Sequence, residues 1–250
     1  MIDMSMLGYD PVEINSLPKS LTELRCPAEM AVQRGAVQNA AILKCLTINR
    51  QVCILPIMRR GNATSEARQR ILETADRLFY LEGIRAVGID RIVAEAGVAK
   101  MTLYSHFPSK DDLILAVLWK REEAVEEFFK MAMSRRANRS KGRLRAFFAA
   151  LKELFESPGF RGCPFINATV ELADPAHPGA KFVQEHKRRF GEFLRRLIEE
   201  AVGEEAVRVA PAVAMLVDGA AVTAVIQGSP DAADVARDTS LKLVAAVKRV

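Results

Sequence analysis

The sequence runs to 250 residues, half of them apolar, with a formal net charge of +5. That is enough apolar material for one large or two small cores, which excludes a disordered chain, and the modest positive charge permits an anionic partner without demonstrating one. The four cysteines, Cys26, Cys45, Cys53 and Cys163, show neither a CxxC pair nor metal-ligand spacing. A reduced protein with no disulfide framework, no metal site and no cofactor is expected.

Residues 1–60 carry scattered prolines (Pro11, Pro18, Pro27, Pro56), few charges and no sustained period. They read as an extension, weakly ordered or patchily helical. Met58 stands just ahead of strong helical patterning and is an alternative start. The opening MIDMSMLGYD has an acid where a signal peptide needs bases. The run from Ala40 to Met58 is broken by Lys44 and Arg50, and no apolar run is expected to reach the length of a membrane span. A cytoplasmic protein without a membrane partner follows.

A second segment, residues 61–108, is helical and punctuated. TSEARQRILETADRLFYLEG places Ile71, Leu72, Ala75, Leu78 and Phe79 on one stripe, with Thr64 or Ser65 as cap, Glu66 in the first turn and Gly83 as stop. IDRIVAEAG then puts Ile89, Ile92, Val93 and Ala96 on a face and ends at Gly97, a candidate left-handed turn residue. VAKMTLYSHF has room for about two helical turns. Leu103 and Phe107 face inward, leaving Lys100, Met101, Thr102, Tyr104, Ser105 and His106 on the other sides. Ser109 and Asp112 have capping-box spacing and open a fourth helix.

Two short helices joined by a glycine turn, the second with a polar face, form the arrangement that enters a DNA major groove. Acids and bases balance from Gly61 to Pro108, so net charge decides nothing. Placement does: between Glu95 and Asp111 there is no acid, and the charged groups present are Lys100, Lys110 and His106 when protonated.

The stretch GIRAVGIDRIVAEAGVAKMTLYSHFPSKDDLI resembles the DNA-binding signature of the tetracycline-repressor (TetR) family of transcriptional regulators. The likeness rests on the glycine-valine turn, the threonine-leucine-tyrosine of the third helix, the histidine-phenylalanine pair and the serine-lysine start of the fourth. It covers roughly Thr64 to Leu118. It implies that Lys100, Met101 and Ser105 face base edges, that Thr102, Tyr104 and His106 hold phosphates or the groove wall, and that Lys110 binds backbone phosphate. Ala99 and Met101 depart from the pattern, which often has a hydroxyl residue and a glycine there. The resemblance implies a homodimer on double-stranded DNA with an inverted-repeat operator, and a repressor released by an unknown small-molecule effector.

The segment 109–250 is read as a helical effector-binding and dimerisation domain. Its apolar stretches are separated by Gly, Pro and Asp, with no strand-like alternation, so the whole chain is expected to be all-α: a three-helix helix-turn-helix domain followed by a larger helical one. Ala206 to Val225 is apolar nearly all round. It forms part of an intersubunit four-helix bundle with the last helix, or the buried centre of a monomer. Phenylalanines at helical spacing, among them Phe128, Phe147 and Phe190, are core or line an effector cavity, and no effector residue is assigned. The basic run from Lys130 to Arg145 reads as a solvated face. Cys163 is a thiol sensor or packs a helix start beside Pro164. Asp218, isolated in its apolar helix, needs a partner, for which a dimer mate is one source.

No P-loop, GxGxxG, HExxH or GxSxG is present, so no enzyme is indicated. The rival class is a helical interaction or scaffold protein without specific DNA binding, against which the acid-free third helix argues.

Overall fold

A computed structural model of the chain describes residues 55–136 and 142–247, with side chains from 66 onward. The chain divides into two units, Met1–Ala63 and Thr64–Val250; apart from the first residues of α1, everything that follows lies in the second. Residues 1–54 of the extension read over 1–60, three of the four cysteines, and Arg139 and Lys141 of the basic run lie outside the described residues.

Helices follow one another with short connections: α1 (Leu55–Glu82), α2 (Ile89–Ala96), α3 (Lys100–His106), α4 (Lys110–Ser134), α5 (Arg143–Phe155), α6 (Pro164–Leu172), α7 (Pro178–Val202), a 3-10 turn (Gly203–Glu205), α8 (Ala206–Gln227) and α9 (Ala232–Val247). The described residues contain no strand. The all-α expectation holds. One boundary differs: α1 already runs from Leu55, so Thr64 and Ser65 stand inside it instead of capping it.

Two apolar cores share the molecule. The first joins Ile71, Leu78 and Phe79 of α1, Ile92 of α2 and Leu103 of α3 to Leu113 and Val117 of α4, then continues into Phe165 of α6 and Phe182 of α7. The second fills the body, with Phe147 and Phe148 of α5, Leu194 and Ile198 of α7, and the alanine- and valine-rich side of α8 facing α9. Cys163 caps the start of α6 next to Pro164 and packs against both cores, as one of its two sequence readings has it.

The helix α8 reaches a length and apolarity that the sequence reading denied to any run, with mean hydropathy 2.0 over an 18-residue window. It is long and apolar enough to cross a membrane. In this fold Val209, Val213, Val217, Ala220 and Ala224 are buried in the body core. Asp218 finds its partner within the chain, its Oδ1 lying 2.5 Å from Lys187 Nζ of α7, so no dimer mate is needed to neutralise it. Of the basic run, Arg135 and Arg136 both pair with Glu153, and Arg143 with Glu200.

Polar contacts fasten α1–α4 to the body. Tyr80 Oη donates to the Gly162 carbonyl (3.0 Å) and accepts from Arg161 N–H (2.8 Å), and the Arg121 guanidinium lies 4.2 Å from the centre of its ring. Glu171 of α6 accepts from the Arg85 amide at 3.1 Å, against the turn where Gly83 takes φ 99. A Cβ on Gly83 would stand 2.8 Å from that carboxylate. His177 Nδ1 accepts from Gly179 N–H, which leaves the hydrogen on Nε2, 3.2 Å from Asp111 Oδ1 at the start of α4.

The turn at Gly97 gives a stability prediction. Gly97 sits at φ 62, ψ 44, and an added Cβ would meet nothing closer than Arg70 Nη1 at 3.8 Å. The penalty of a side chain is therefore conformational and not steric. Gly97→Ala should lose about 1–2 kcal/mol in urea unfolding, with Gly97→Asn losing less because asparagine tolerates the left-handed region. Equal losses for the two variants would show that strain at this turn is not what glycine relieves.

Candidate nucleic-acid interface

The turn between α2 and α3 is closed by backbone bonds from Gly97 N–H to Ala94 O (3.3 Å) and Val98 N–H to Val93 O (3.2 Å). The second spans the helix end and reverses the chain around the left-handed glycine. Helix α3 then starts without a side-chain cap. Ala99, at φ −74 and ψ 148, offers only its carbonyl, which accepts from Thr102 N–H (2.9 Å) and Leu103 N–H (3.2 Å). Seven residues are too few to hold a helix by propensity. Leu103 and Phe107, both buried, pin α3 to the core by one edge.

The opposite edge is open. Met101 is 79% exposed and Tyr104 39%, with Lys100 and Ser105 exposed beside them. These four expected contact residues are brought onto one accessible face. Thr102 is half-buried, and its carbonyl accepts from Ser105 Oγ at 2.7 Å, so the serine hydrogen is used within the helix and the oxygen lone pairs face outward. His106 is half-buried too, and its Nε2 is enclosed without a hydrogen-bond partner among the described residues.

Lys110 is placed differently from its neighbours. Its Nζ donates to the Ile84 carbonyl at 2.6 Å and lies 5.8 Å from the Phe79 ring centre, fixing the α1–α2 turn against the start of α4. Burial pushes its pKa below the ordinary lysine value. One ammonium hydrogen is committed and two remain for a phosphate. Ser109 caps α4 by accepting from Asp112 N–H at 3.0 Å, while its hydroxyl donates to Asp112 Oδ2 at 2.6 Å; this is the expected capping spacing.

Charge around α3 is more mixed than the sequence shows. Asp90, on α2, reaches Lys100 Nζ at 2.7 Å, so an acid does stand beside the reading element in space. That hydrogen bond holds the Lys100 pKa above its ordinary value. The other α2 acid is drawn away: Glu95 bonds Arg77 (2.5 Å) and Arg91 (2.8 Å), the first being the larger cause of its lowered pKa.

Two bases not picked out from sequence flank α3. Arg68 of α1 stacks its guanidinium over Phe107, 5.1 Å from the ring centre, and Arg70 brings Nη1 to the Gly97 turn. Both lie on the exposed side of α1. Their one sequence signal is that both bases fall off the apolar stripe, which says nothing of which neighbour that side meets. Among the described residues no cluster of His, Cys, Asp and Glu suited to a metal ion occurs.

Comparison with known proteins gives the same picture. Residues 71–117 match the family model described as bacterial regulatory proteins, tetR family. Residues 140–240 match a tetracyclin repressor-like C-terminal domain. A TetR-family transcriptional regulator of known structure from Streptomyces coelicolor is 38% identical, aligning 74% of this chain with 95% of its own at a TM-score of 0.63. The HTH-type transcriptional activator FasR of Mycolicibacterium smegmatis is 37% identical over 136 residues, which is 50% of this chain and 62% of that relative. An uncharacterised HTH-type regulator of Bacillus subtilis, YxaF, is 28% identical over 145 residues, 56% of this chain and 74% of its own length.

The charge geometry predicts opposite effects for two neighbours. Asp90→Asn removes an anion beside α3 and releases Lys100, so it should tighten binding to duplex DNA of any sequence, whereas Lys100→Ala should weaken it. Salt titrations of affinity check both, and tighter binding by Lys100→Ala would show that α3 does not meet the duplex through this face.

Proposed function

The chain belongs to the TetR family of bacterial regulatory proteins, and from that premise we propose a cytoplasmic homodimeric repressor, released from an inverted-repeat operator by a small-molecule effector. DNA-binding transcription regulation without enzymatic chemistry is the work of that family. The observation that carries the reading is the split character of α3, one edge locked by Leu103 and Phe107, the other presenting Lys100, Met101, Tyr104 and Ser105.

In this reading Lys100, Met101 and Ser105 meet base edges. Thr102, Tyr104 and His106 take phosphates or the groove wall, and Lys110 takes a phosphate with its two remaining hydrogens. Arg68 and Arg70 add cations at the ends of the same element. Phosphate contacts set register and base contacts set sequence.

Dimerisation is supported by what α8 and α9 leave uncovered. Met215 is 72% exposed, Ile226 78% and Val235 67%, on helices whose other sides are packed in the body core. Apolar side chains this exposed on two adjoining helices suit a second copy of the chain, whose two-fold axis would match an inverted repeat. One matched relative is named an activator. The same DNA contacts serve either sign, which depends on where the operator lies relative to the promoter.

Effector control is supported by the three ties between α6 with its flanking loops and the reading head: Tyr80 to the Arg161–Gly162 backbone, Glu171 to Arg85, and His177 to Asp111. A ligand that binds one arrangement of these ties better than another shifts DNA affinity by that difference. About 1–3 kcal/mol of coupling corresponds to 5- to 150-fold.

Binding-site selection with purified protein should return an inverted repeat whose half-sites lie about 34–36 Å apart or a multiple of that. An asymmetric site overturns the dimeric reading. Lys110→Ala should lower the salt dependence by about one unit per subunit across all sequences, whereas Met101→Ala should change preference at one base-pair position. Transcription in vitro from a promoter carrying the selected site should fall when protein is added, and a rise would reverse the sign while leaving DNA binding in place.

A further inference from the structure

Between α4 and α7 the otherwise apolar body holds a knot of charge. Glu122 is 2% exposed. Its Oε1 lies 2.7 Å from His186 Nδ1 and 2.6 Å from Arg189 Nη2. Its Oε2 is buried with no hydrogen-bond partner among the described residues. One turn further along α4, Glu126 faces the same charges, and burial followed by the Glu122 charge pushes its carboxyl above the usual range. His186, 9% exposed, is stacked on Phe165 with ring centres 3.6 Å apart and lies nearly parallel to Phe190 at 6.5 Å.

A buried carboxylate oxygen without a donor is unfavourable, and groups of this kind ask for an explanation. Against its burial, the His186 and Arg189 hydrogen bonds hold the Glu122 carboxyl low, and an ionised carboxylate oxygen can only accept. An anionic ligand would be repelled. A cation with N–H donors would satisfy Oε2, and Phe190, parallel to His186 at 6.5 Å, stands beside it as a neighbour for an apolar or aromatic body. We propose that this cluster is the effector site and that its ligand is an apolar molecule carrying a protonated amine, whose ammonium bonds Glu122. The assignment rests on the effector-responsive reading above.

Arg189 stands between the cluster and solvent. The Arg189 side chain is 24% exposed and is held by two carboxylates, Glu122 inside and Glu185, 48% exposed, at 3.3 Å outside. Arg189 can turn outward onto Glu185 while the ligand ammonium, with three donors, takes its place on Oε1 and bonds Oε2 as well. One cation replaces another, so no net charge is added to the interior. Trp119, one turn earlier on α4, packs edge-on against Phe182 of α7 at 4.7 Å. The same helix begins at Lys110 and Asp111 in the reading head, so a change in how α4 meets α7 is felt at the head.

Trp119 is the single tryptophan of the chain, which makes its emission a reporter one turn from Glu122. Phenethylamine, titrated into the full-length protein, should change that emission saturably, while 3-phenylpropanoate, an acid with the same phenylethyl body, should bind at least about tenfold more weakly. Glu122→Gln should lose about tenfold in amine affinity with helical circular dichroism unchanged, and Glu126→Gln, at a less buried site, should weaken the amine as well. Equal binding of amine and acid, or full amine affinity in both variants, as expected if a fixed water merely satisfies Oε2, overturns the proposal. So does amine binding that leaves operator affinity unchanged. Operator binding by the protein alone, without probe, tests the regulator reading separately.

Discussion

A seven-residue helix cannot hold itself together, and the whole reading head is built around that constraint. Helix α3 lacks a side-chain cap at Ala99 and gains little from intrinsic propensity. It persists because Leu103 and Phe107 are buried against α1 and α4 while the left-handed Gly97 delivers the chain to the right starting point. Lys100, Met101, Tyr104 and Ser105 are thereby spared from packing, because Leu103 and Phe107 do most of it. A longer or self-sufficient helix would need more of its surface for the core. Shortness is what leaves Lys100, Met101, Tyr104 and Ser105 open on one edge.

Because α3 is anchored at so few points, its position follows from the elements around it. Lys110 bonds the Ile84 carbonyl and Arg68 covers Phe107, so cations suited to an anionic partner also brace the element that would approach it. Exposed ion pairs such as Arg77–Glu95 add little stability. Their effect is to keep the Glu95 carboxylate on the back of α2, away from the open edge of α3. Asp90 is the exception, spending its charge on Lys100.

The head is not an independent ball. Its core runs on into Phe165 and Phe182, and Tyr80, Glu171 and His177 tie three separate points of the head to α6 and its flanking loops. Helix α4 belongs to both cores, holding Leu113 and Val117 in one and Phe129 and Ala132 in the other. A change in how α4 lies against α7, where Glu122, His186 and Arg189 meet, therefore has a continuous route to the reading edge. Packed interiors transmit such shifts because they have little slack to absorb them.

The sequence by itself determined the helices and the orientation of their faces. Period-3.6 patterning marked Ile71, Leu78, Ile92, Leu103 and Phe107 as inward, all of which are buried, and Gly97 and the Ser109–Asp112 spacing marked the turn and the cap. These are local properties, set within a few residues by backbone geometry and by which side chains avoid water. Pairings between elements distant in sequence were decided only by the tertiary structure. Asp90 looked remote from the reading helix yet touches Lys100, Asp218 looked partnerless yet meets Lys187, Arg68 and Arg70 showed only as bases off the apolar stripe, and the Glu122–His186–Arg189 knot gave no signal. Periodicity fixes the side of a helix on which a charge lies. Which other helix stands opposite that side depends on how all the apolar faces close over one another, and no single stretch of sequence carries that information.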